Sequence, residues 1–328
     1  MQVVSVWNLE QVPLRNSGIK VSKIGLGVWQ ASEEWHGDDE QIIDAIEEAN
    51  KFGVNLIDTA EAYGDGHSEE VLGRALKKLG REKFVVATKV YGAHLRYEEL
   101  QKAALASMRR LGVSEIDVYQ VHWPDPWEQI PLKETMHALE KLYVEGKIRA
   151  IAVSNFAVRD LEEASTHLSR TEIVSNQLRY NLLQRNVEEE VLPYCKKEKI
   201  TVLAWSPLAQ GALSGKYTSK NLPKGDVRKE NLLFHPKNIR SVEKILEVLE
   251  RVAQRHSATV SQVALNWLAS DPIVVPIPGA KNSAQAKENA GALNFRLTKA
   301  DLDEIESTAR AIRIDYYPEL ENEKETQF

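Results

Sequence analysis

Short apolar runs alternate with longer amphipathic segments along almost the whole chain. The longer segments, such as DEQIIDAIEEANKFG and SEEVLGRALKKLG, place apolar residues three and four positions apart, which predicts helices. The short runs are rich in β-branched residues and predict eight strands, at residues 23–29, 55–60, 84–90, 116–123, 148–155, 172–178, 201–207 and 273–279.

The predicted strands are nearly continuous in apolar residues, which is typical of a parallel sheet covered by helices on both faces. Helical patterns lie between them, and no domain linker interrupts the series. Eight such repeats favour a closed (β/α)8 barrel over an open doubly wound sheet. A chain of 328 residues fits one such barrel, so we expect a single domain over residues 1–328.

Three segments fall outside the repeat. Residues 12–22, VPLRNSGIKVS, predict a β-hairpin that turns at its central NSG and plugs the N-terminal end of the barrel. Residues 208–239 form a long polar connection after the seventh strand, and loops of this length in a compact domain are usually functional. The tail at 313–328 is polar, and we expect it to be disordered beyond Pro318.

Composition narrows the class of protein. The apolar fraction of 43% and the charged fraction of 27% are those of an ordinary globular protein. A net charge of −6 without a cluster of Lys and Arg argues against nucleic acid or an anionic membrane as the partner. The single cysteine, Cys195, lies in a helical pattern and predicts a small buried apolar residue. With neither a signal-peptide pattern nor an apolar run long enough to cross a bilayer, we expect a cytoplasmic protein.

Four reactive side chains stand at or just beyond the ends of consecutive predicted strands: Asp58, Tyr63, Lys89 and His122. In a (β/α)8 barrel the carboxyl ends of the strands share the face that carries the chemistry. A tyrosine needs help to exchange a proton near neutral pH, and a nearby ammonium lowers its pKa by stabilising the phenolate. We therefore expect Tyr63 to be a general acid and base tuned by Lys89 and Asp58, with His122 bonded to a substrate carbonyl.

Each of these four residues also has a structural interpretation. A tyrosine beside glycines is often a loop aromatic, a lysine in a strand can belong to a structural ion pair, and a lone histidine is often a satisfied polar residue. The co-occurrence of all four at adjacent strand ends favours a proton-transfer site.

Six longer motifs follow one another along the chain: FGVNLIDTAEAYGDGHSEEVLGRAL, VVATKV, YQVHWPDP, IRAIAVSNF, VSNQLRYN and LAWSPLAQGALSGKY. By these motifs, in this order and spacing, the chain resembles the aldo-keto reductases over roughly residues 12–310, and most closely a microbial branch related to the potassium-channel β subunits. The resemblance implies NADPH-dependent reduction of aldehydes or ketones, with Tyr63, Lys89, Asp58 and His122 in the roles given above. It also implies a cofactor bound across the barrel face without a Rossmann domain. The chain agrees, because GLGVWQ has Gln30 where a glycine fingerprint needs its last Gly.

By the same resemblance, Ser154, Asn155 and Gln177 would bond the nicotinamide carboxamide, and Trp205 would stack on the ring. The loop at 208–239 would cover the pyrophosphate, with Lys216 and Arg228 as clamps. The full set of expected cofactor-binding residues is Val28, Trp29, Asp58, Ser154, Asn155, Gln177, Trp205, Ser206, Pro207, Leu208, Gln210, Gly211, Lys216, Arg228, Gly279, Lys281, Gln285, Glu288 and Asn289.

Two positions depart from better-known members of the family. Gln285 stands where they carry Arg, and Gly279 stands where they carry Lys, and both of those cations help to bind the 2′-phosphate of NADP. Lys281 can supply one cation, and the channel-related branch also has Gln at the first position. We expect NADP(H) to be preferred, with NAD(H) possible.

Aromatic residues near the strand ends predict a pocket for apolar or ring-containing carbonyl compounds. Several of them could instead pack the loops together. The expected substrate contacts are Trp29, Tyr63, Tyr91, His122 and Trp123, with Trp35 and Trp127 near the same mouth. The histidines at 36, 67 and 94 lack metal-ligand spacing, so we expect no metal.

Two other functions remain open from the residues. A redox-sensing protein would hold NADP tightly, turn over slowly and bind a protein partner, although such a sensor need not keep His122. Another (β/α)8 enzyme could use Lys89 as a Schiff base. The chain does not indicate an oligomeric state, and a homo-oligomer is possible.

Overall fold

The computed structural model describes residues 9–224 and 227–316. Its strands within those residues are β1 Gln11–Pro13, β2 Lys20–Ser22, β3 Leu26–Gly27, β4 Leu56–Asp58, β5 Val85–Val90, β6 Ile116–Val121, β7 Ile148–Ser154, β8 Ile173–Arg179, β9 Thr201–Trp205 and β10 Val274–Pro276. The first two form an antiparallel hairpin, and β3 to β10 form an eight-stranded parallel sheet in chain order.

The two edges of this sheet meet, so that it curls into a barrel. The Gly25 amide donates to the Pro276 carbonyl over 2.9 Å, and the Gly27 amide donates to the Pro278 carbonyl over 3.1 Å. Gly27 also forms a parallel bridge with Gly279. A β-carbon at Gly25 would lie 2.8 Å from a methyl group of Ile277, so glycine permits the close approach at this seam. The predicted eight-stranded barrel is confirmed.

Helices surround the barrel where the apolar periodicity predicts them. Most of them bury one apolar stripe, whereas α8 is buried on nearly all sides. Side chains cap several first turns; for example, the Asp38 carboxylate accepts from the Gln41 amide. Their bounds are α1 Asp39–Lys51, α2 His67–Leu79, α3 Tyr97–Leu111, α4 Leu132–Val144, α5 Val158–Thr166, α6 Val191–Glu198, α7 Pro236–His256, α8 Val260–Ala269, α9 Ser283–Ala290 and α10 Lys299–Ala311.

The hairpin plugs one end of the barrel, as predicted. Its inward side chains, including Leu14 and Val21, are fully buried in a cluster with the residues at the start of the barrel strands, such as Leu56 and Val85. A second and larger cluster lies between the sheet and the helices. The barrel interior is therefore filled at this end, and the polar side chains concentrate at the other.

The connection predicted at 208–239 ends earlier in the structure, and its described part contains short helical turns. It contains 3-10 turns at Ala209–Ser214, Val227–Glu230 and Leu232–Phe234, and its last predicted residues already belong to α7. The helix begins early because Pro236 suits a first helical position and the His235 side chain accepts from the Lys237 amide.

The start of the predicted tail is tied to the barrel. The Asn238 side chain accepts from the Asp315 amide and donates to the Asp315 carbonyl, each over 2.8 Å. The disorder predicted beyond Pro318 concerns residues outside the described part of the chain. Among the described helices, none is both long and apolar enough to span a bilayer.

Candidate active site

Three of the four predicted reactive residues are joined by hydrogen bonds at the open end of the barrel. The Lys89 ammonium donates to Asp58 over 2.6 Å, to the Thr59 carbonyl over 2.8 Å and to the Tyr63 hydroxyl over 3.2 Å. Lys89 is fully buried and Asp58 is 2% exposed. Because the phenol oxygen accepts from Lys89, its own O–H can point toward the cavity.

The Asp58 carboxylate is held by more than one partner. Its second oxygen accepts from the side-chain amides of Gln120 over 3.0 Å and Gln177 over 2.8 Å. These residues lie on β6 and β8, so hydrogen bonds across the barrel interior fix the carboxylate that faces Lys89. Gln120 is not among the predicted site residues. The signal for it is a lone amide inside the apolar run IDVYQVHW, where a buried polar side chain needs a partner.

Burial and the neighbouring charges act in opposite directions on Tyr63. Enclosure by protein raises the pKa of Tyr63 above its ordinary value, and the Lys89 ammonium offsets only part of that rise. Lys89 therefore lowers the pKa of Tyr63 as expected, but burial has the larger effect and the net pKa is raised. Burial also opposes the charge on Lys89, but Asp58 and Tyr63 outweigh it, so the pKa of Lys89 is raised. At neutral pH a neutral phenol lies beside an ammonium.

His122 follows β6 and faces Tyr63, with the ring centroids 5.7 Å apart and nearly perpendicular. Burial, together with the nearby Lys89 charge, lowers the pKa of His122 to about 3. The imidazole is therefore neutral at physiological pH and carries one N–H. Its Nδ1 atom is enclosed and lacks a hydrogen-bond partner among the described residues.

The turn that carries Tyr63 is braced on both sides. Gly64 and Gly66 have positive φ values of 59° and 93°, which a tight turn between β4 and α2 requires. The Glu61 carboxylate accepts from the Tyr91 amide over 2.5 Å and lies 3.1 Å from Nδ1 of His94. This contact ties the Tyr63 turn to the loop that follows Lys89.

A cavity of about 440 Å³ opens beside Tyr63 and extends to α9. Most of the predicted cofactor-binding residues line it: Trp29, Asp58, Gln177, Trp205, Ser206, Pro207, Leu208, Gln210, Gly211, Lys216, Arg228, Gly279, Lys281, Gln285, Glu288 and Asn289. Its wall also contains residues not predicted to bind the cofactor, including Gln30, Trp35, Ser214, Tyr217 and Ser261.

Three predicted cofactor residues lie behind the cavity wall. Val28 is 1% exposed and belongs to the apolar core. The Ser154 hydroxyl donates to the Gln177 carbonyl over 2.9 Å. Asn155 donates to the His122 carbonyl and accepts from the Trp205 indole, each over 3.1 Å. In this structure these polar groups brace the residues around the cavity.

The predicted substrate contacts divide into two groups. Trp29 and Tyr63 line the cavity, with ring centroids 5.9 Å apart. Tyr91 and Trp123 are 51% and 47% exposed and lie outside it. Trp127 is 77% exposed in the loop after β6. The exposed aromatics surround the site without forming a closed wall.

The far end of the cavity is built from the loop after β10 and from α9. The Lys281 ammonium donates to the Trp35 carbonyl over 2.8 Å, and the Lys281 amide donates to the Gln285 side chain over 2.9 Å. The side-chain amide of Asn289 donates to the Gly279 carbonyl over 3.1 Å. The Glu288 carboxylate accepts from Thr259 over 2.7 Å. This end combines a cation, a carboxylate and amides, which fits the polar half of a dinucleotide.

Other nucleophiles and metal-ligating residues do not gather into a second site in the described part of the chain. Cys195 is buried, as predicted, and burial raises the pKa of its thiol to about 12. His67 lies 2.9 Å from Asp39, and His94 contacts Glu61, so both make local hydrogen bonds. No group of three or more His, Cys, Asp or Glu residues is arranged to hold a metal within residues 9–224 and 227–316.

The model of the Aldo/keto reductase family matches residues 23–310, which is most of the chain. The chain belongs to the aldo/keto reductase family. It is similar to the NADH-specific methylglyoxal reductase of Escherichia coli, with 36% identity over 93% of this chain and 99% of that protein. As a member of this family, it is an NAD(P)H-dependent oxidoreductase.

Solved structures support the same family. The glycerol dehydrogenase of Gluconobacter oxydans matches with a TM-score of 0.84 and 30% identity, over 93% of this chain and 98% of that one. An aldo/keto reductase of Klebsiella pneumoniae, solved with NADP and acetate, matches with a TM-score of 0.74 and 30% identity, over 94% and 97%. The resemblance inferred from the sequence motifs is confirmed. Among these similar proteins, the Klebsiella pneumoniae reductase was solved with NADP, whereas the Escherichia coli reductase is named as NADH-specific.

Proposed function

We propose that this reductase converts aldehydes or ketones to alcohols with NADPH, and that Tyr63 delivers the proton. The observation that carries the proposal is the hydrogen bond between the Lys89 ammonium and the Tyr63 hydroxyl, at the wall of a cavity that His122 adjoins. When bound, the nicotinamide supplies the hydride, which is chemistry that protein side chains lack.

The chain's own residues would manage the proton. A raised pKa keeps Tyr63 protonated at neutral pH, so the phenol is in the correct state to act as an acid. As its proton leaves, the phenolate charge develops 3.2 Å from the Lys89 ammonium. Asp58 holds that ammonium in place and keeps it charged. The cation is thus preorganised for the charge that appears during the reaction.

His122 would orient the substrate. Because its pKa is near 3, the ring is neutral and can donate an N–H hydrogen bond to a carbonyl oxygen without transferring its own proton. Its ring centroid lies 5.7 Å from that of Tyr63, which is close enough for both residues to donate to one carbonyl oxygen. Two donors on one oxygen would fix the carbonyl and stabilise the charge that develops on it.

Methylglyoxal is the first substrate to test, because the Escherichia coli relative is named for it. We propose NADPH as the preferred cofactor, supported by the Lys281 ammonium at the far end of the cavity. Loss of NADPH absorbance should be followed with methylglyoxal and a panel of aldehydes, ketones and quinones, and repeated with NADH. We expect turnover with small carbonyl compounds. Tight NADPH binding without turnover of any of them would contradict the proposal.

A further inference from the structure

Gln120 is a fully buried amide that lies beside Lys89 in the barrel interior. It stands on β6, where it is the register partner of Lys89 on β5. Its register partner on β7 is Ala152, which belongs to the apolar cluster at the plugged end of the barrel. A buried amide is costly unless its donor and its acceptor are both bonded, so the partners of Gln120 should indicate why it is there.

Both ends of the Gln120 side chain are bonded, and the bonds have a defined direction. Its Nε2 donates to Asp58 over 3.0 Å, and its Oε1 accepts from Nε2 of Gln177 over 3.3 Å. Gln177 also donates to the same Asp58 oxygen over 2.8 Å. A carboxylate that is paired with an ammonium can only accept, so reversing the Gln120 amide would place two oxygens together and two NH₂ groups together. Asp58 therefore sets the orientation of both amides.

The two oxygens of Asp58 are divided between Lys89 and the amides. One oxygen accepts from Lys89 over 2.6 Å, and the other accepts from Gln120 and Gln177. Burial raises the pKa of Tyr63 most, and the Asp58 charge adds to that rise. Donors that share the carboxylate charge leave more of the Lys89 charge available to a phenolate at Tyr63. The amides therefore favour loss of the Tyr63 proton.

Of the two amide donors, Gln120 is the one that a ligand does not reach. Asp58 and Gln177 line the cavity, whereas Gln120 lies outside the cavity wall in the described part of the chain. Gln177 is also predicted to bond to the nicotinamide carboxamide, so a ligand can compete for it. Because Gln120 is fully buried, its bond to Asp58 should persist when the cavity is occupied.

We propose that Gln120 is a positioning residue for proton transfer: it holds the second oxygen of Asp58, so that the first stays on Lys89 and Lys89 stays on the Tyr63 hydroxyl. This inference rests on the proposed function. Since Gln120 does not line the cavity, it acts through Asp58 and Lys89. It should therefore affect the rate of the reaction and not the binding of either reactant.

The first test compares the turnover number with the affinities for the reactants. Gln120→Met keeps the length of the side chain and removes its polar atoms. With methylglyoxal and NADPH, we expect the turnover number to fall about tenfold, which is part of the effect of one hydrogen bond to a charged group. The Michaelis constant for methylglyoxal and the dissociation constant of NADP⁺ should stay within about twofold of the wild-type values.

A double-mutant cycle separates this role from a merely structural one. If Gln120 acts by way of the Tyr63 hydroxyl, it has nothing to act on once that hydroxyl is removed. Gln120→Met should therefore leave the residual turnover of Tyr63→Phe unchanged within about twofold. A general structural defect would instead lower the rate by about tenfold in both backgrounds.

Two further variants separate a loss of rate from a loss of folding. Gln120→Asn keeps the amide and shortens it by one methylene group, so it should also lose rate because it no longer reaches Asp58. Gln254→Met makes the same chemical change at an exposed position of α7 and should alter none of these constants. The unfolding temperature of each variant shows whether the rates compare folded proteins.

Any of three results would overturn the inference: a wild-type turnover number in Gln120→Met, a wild-type turnover number in Gln120→Asn, or a fully additive loss in the double variant. Each of these results leaves the proposed function intact, because the wild-type protein still reduces its substrate. If the wild-type protein reduced none of the carbonyl compounds, the proposed function would fail first, and this inference with it.

Discussion

At one end of the cavity Asp58, Lys89 and Gln177 project from barrel strands, whereas at the other end Lys281 and Gln285 follow β10 in a loop and in the first turn of α9. Asp58 and Lys89 are 2% and 0% exposed and bond to each other, but Gln285 is exposed. The two ends of the cavity are therefore built differently. Groups that must hold a proton-transfer geometry are fixed by the sheet, and groups that choose a cofactor lie on a loop and on the first turn of a surface helix, where substitutions cost little stability.

The largest effect should come from a substitution at the strand-held end of the cavity, which contains Asp58, Lys89 and Gln177. Asp58→Asn removes the countercharge of the buried Lys89 ammonium, and losing one partner of a buried pair costs about 3–5 kcal/mol. Urea unfolding should show that decrease, and the turnover number should fall as well. Gln285→Ala, at the loop-built end, should lower stability by less than about 1 kcal/mol. If the two variants lost equal amounts of unfolding free energy, the two ends of the cavity would not differ in how firmly they are built.

Acid should weaken the strand-held end through His122. The pKa of His122 is about 3 in the folded protein and about 6.5 in the unfolded chain, so the unfolded state binds the proton first as pH falls. The contribution of His122 to the free energy of unfolding is therefore fully present above about pH 6.5 and is lost progressively toward pH 3. Since the ring is partly exposed, we expect this group to cost about 1–2 kcal/mol between pH 7 and pH 4.5.

The measurement is the free energy of unfolding against pH for the wild type and for His122→Gln, which cannot titrate. The difference between the two curves isolates the histidine from all other groups. Parallel curves from pH 7 to pH 4.5 would show that the imidazole is not held neutral by burial.

The loop-built end should show a smaller and more selective response. Lys281→Ala should raise the Michaelis constant for NADPH about tenfold, as expected for one charge-assisted hydrogen bond, and that for NADH far less. Lys287→Ala, at an exposed position of α9 outside the cavity, is the control and should change neither constant. Equal increases for both cofactors would remove Lys281 as the source of preference.

The sequence predicts the strand-held end better than the loop-built end, for a physical reason. Strand ends follow from apolar runs, so the pattern of the chain alone assigns Asp58, Lys89 and His122 to one face of the barrel. Gln120 was missed because a buried amide in a strand reads as a break in the apolar pattern. The effect of Lys89 on the pKa of Tyr63 was predicted correctly, but the larger and opposite effect of burial was missed because burial depends on loops that pack from elsewhere in the chain.

At the loop-built end, which contains Lys281 and Gln285, the site residues could not be predicted because their positions depend on how the folded chain packs. Gln30 and Trp35 lie in short 3-10 turns, for which the sequence has no periodic signal. The close approach of Gly27 to Gly279 forms only once the barrel has closed between β3 and β10. Ser154 and Asn155 bond here to the Gln177 backbone and to Trp205, and their contact with the nicotinamide stays a prediction.

The central claim is that Tyr63 supplies the proton, and Tyr63→Phe tests it most directly because the change removes one hydroxyl and keeps the ring. The turnover number with methylglyoxal and NADPH should be compared with the dissociation constant of NADP⁺ for both proteins. We predict a fall in turnover of about 10²–10⁴-fold, the usual contribution of a general acid, with NADP⁺ binding unchanged. Turnover within about threefold of the wild type would contradict the account.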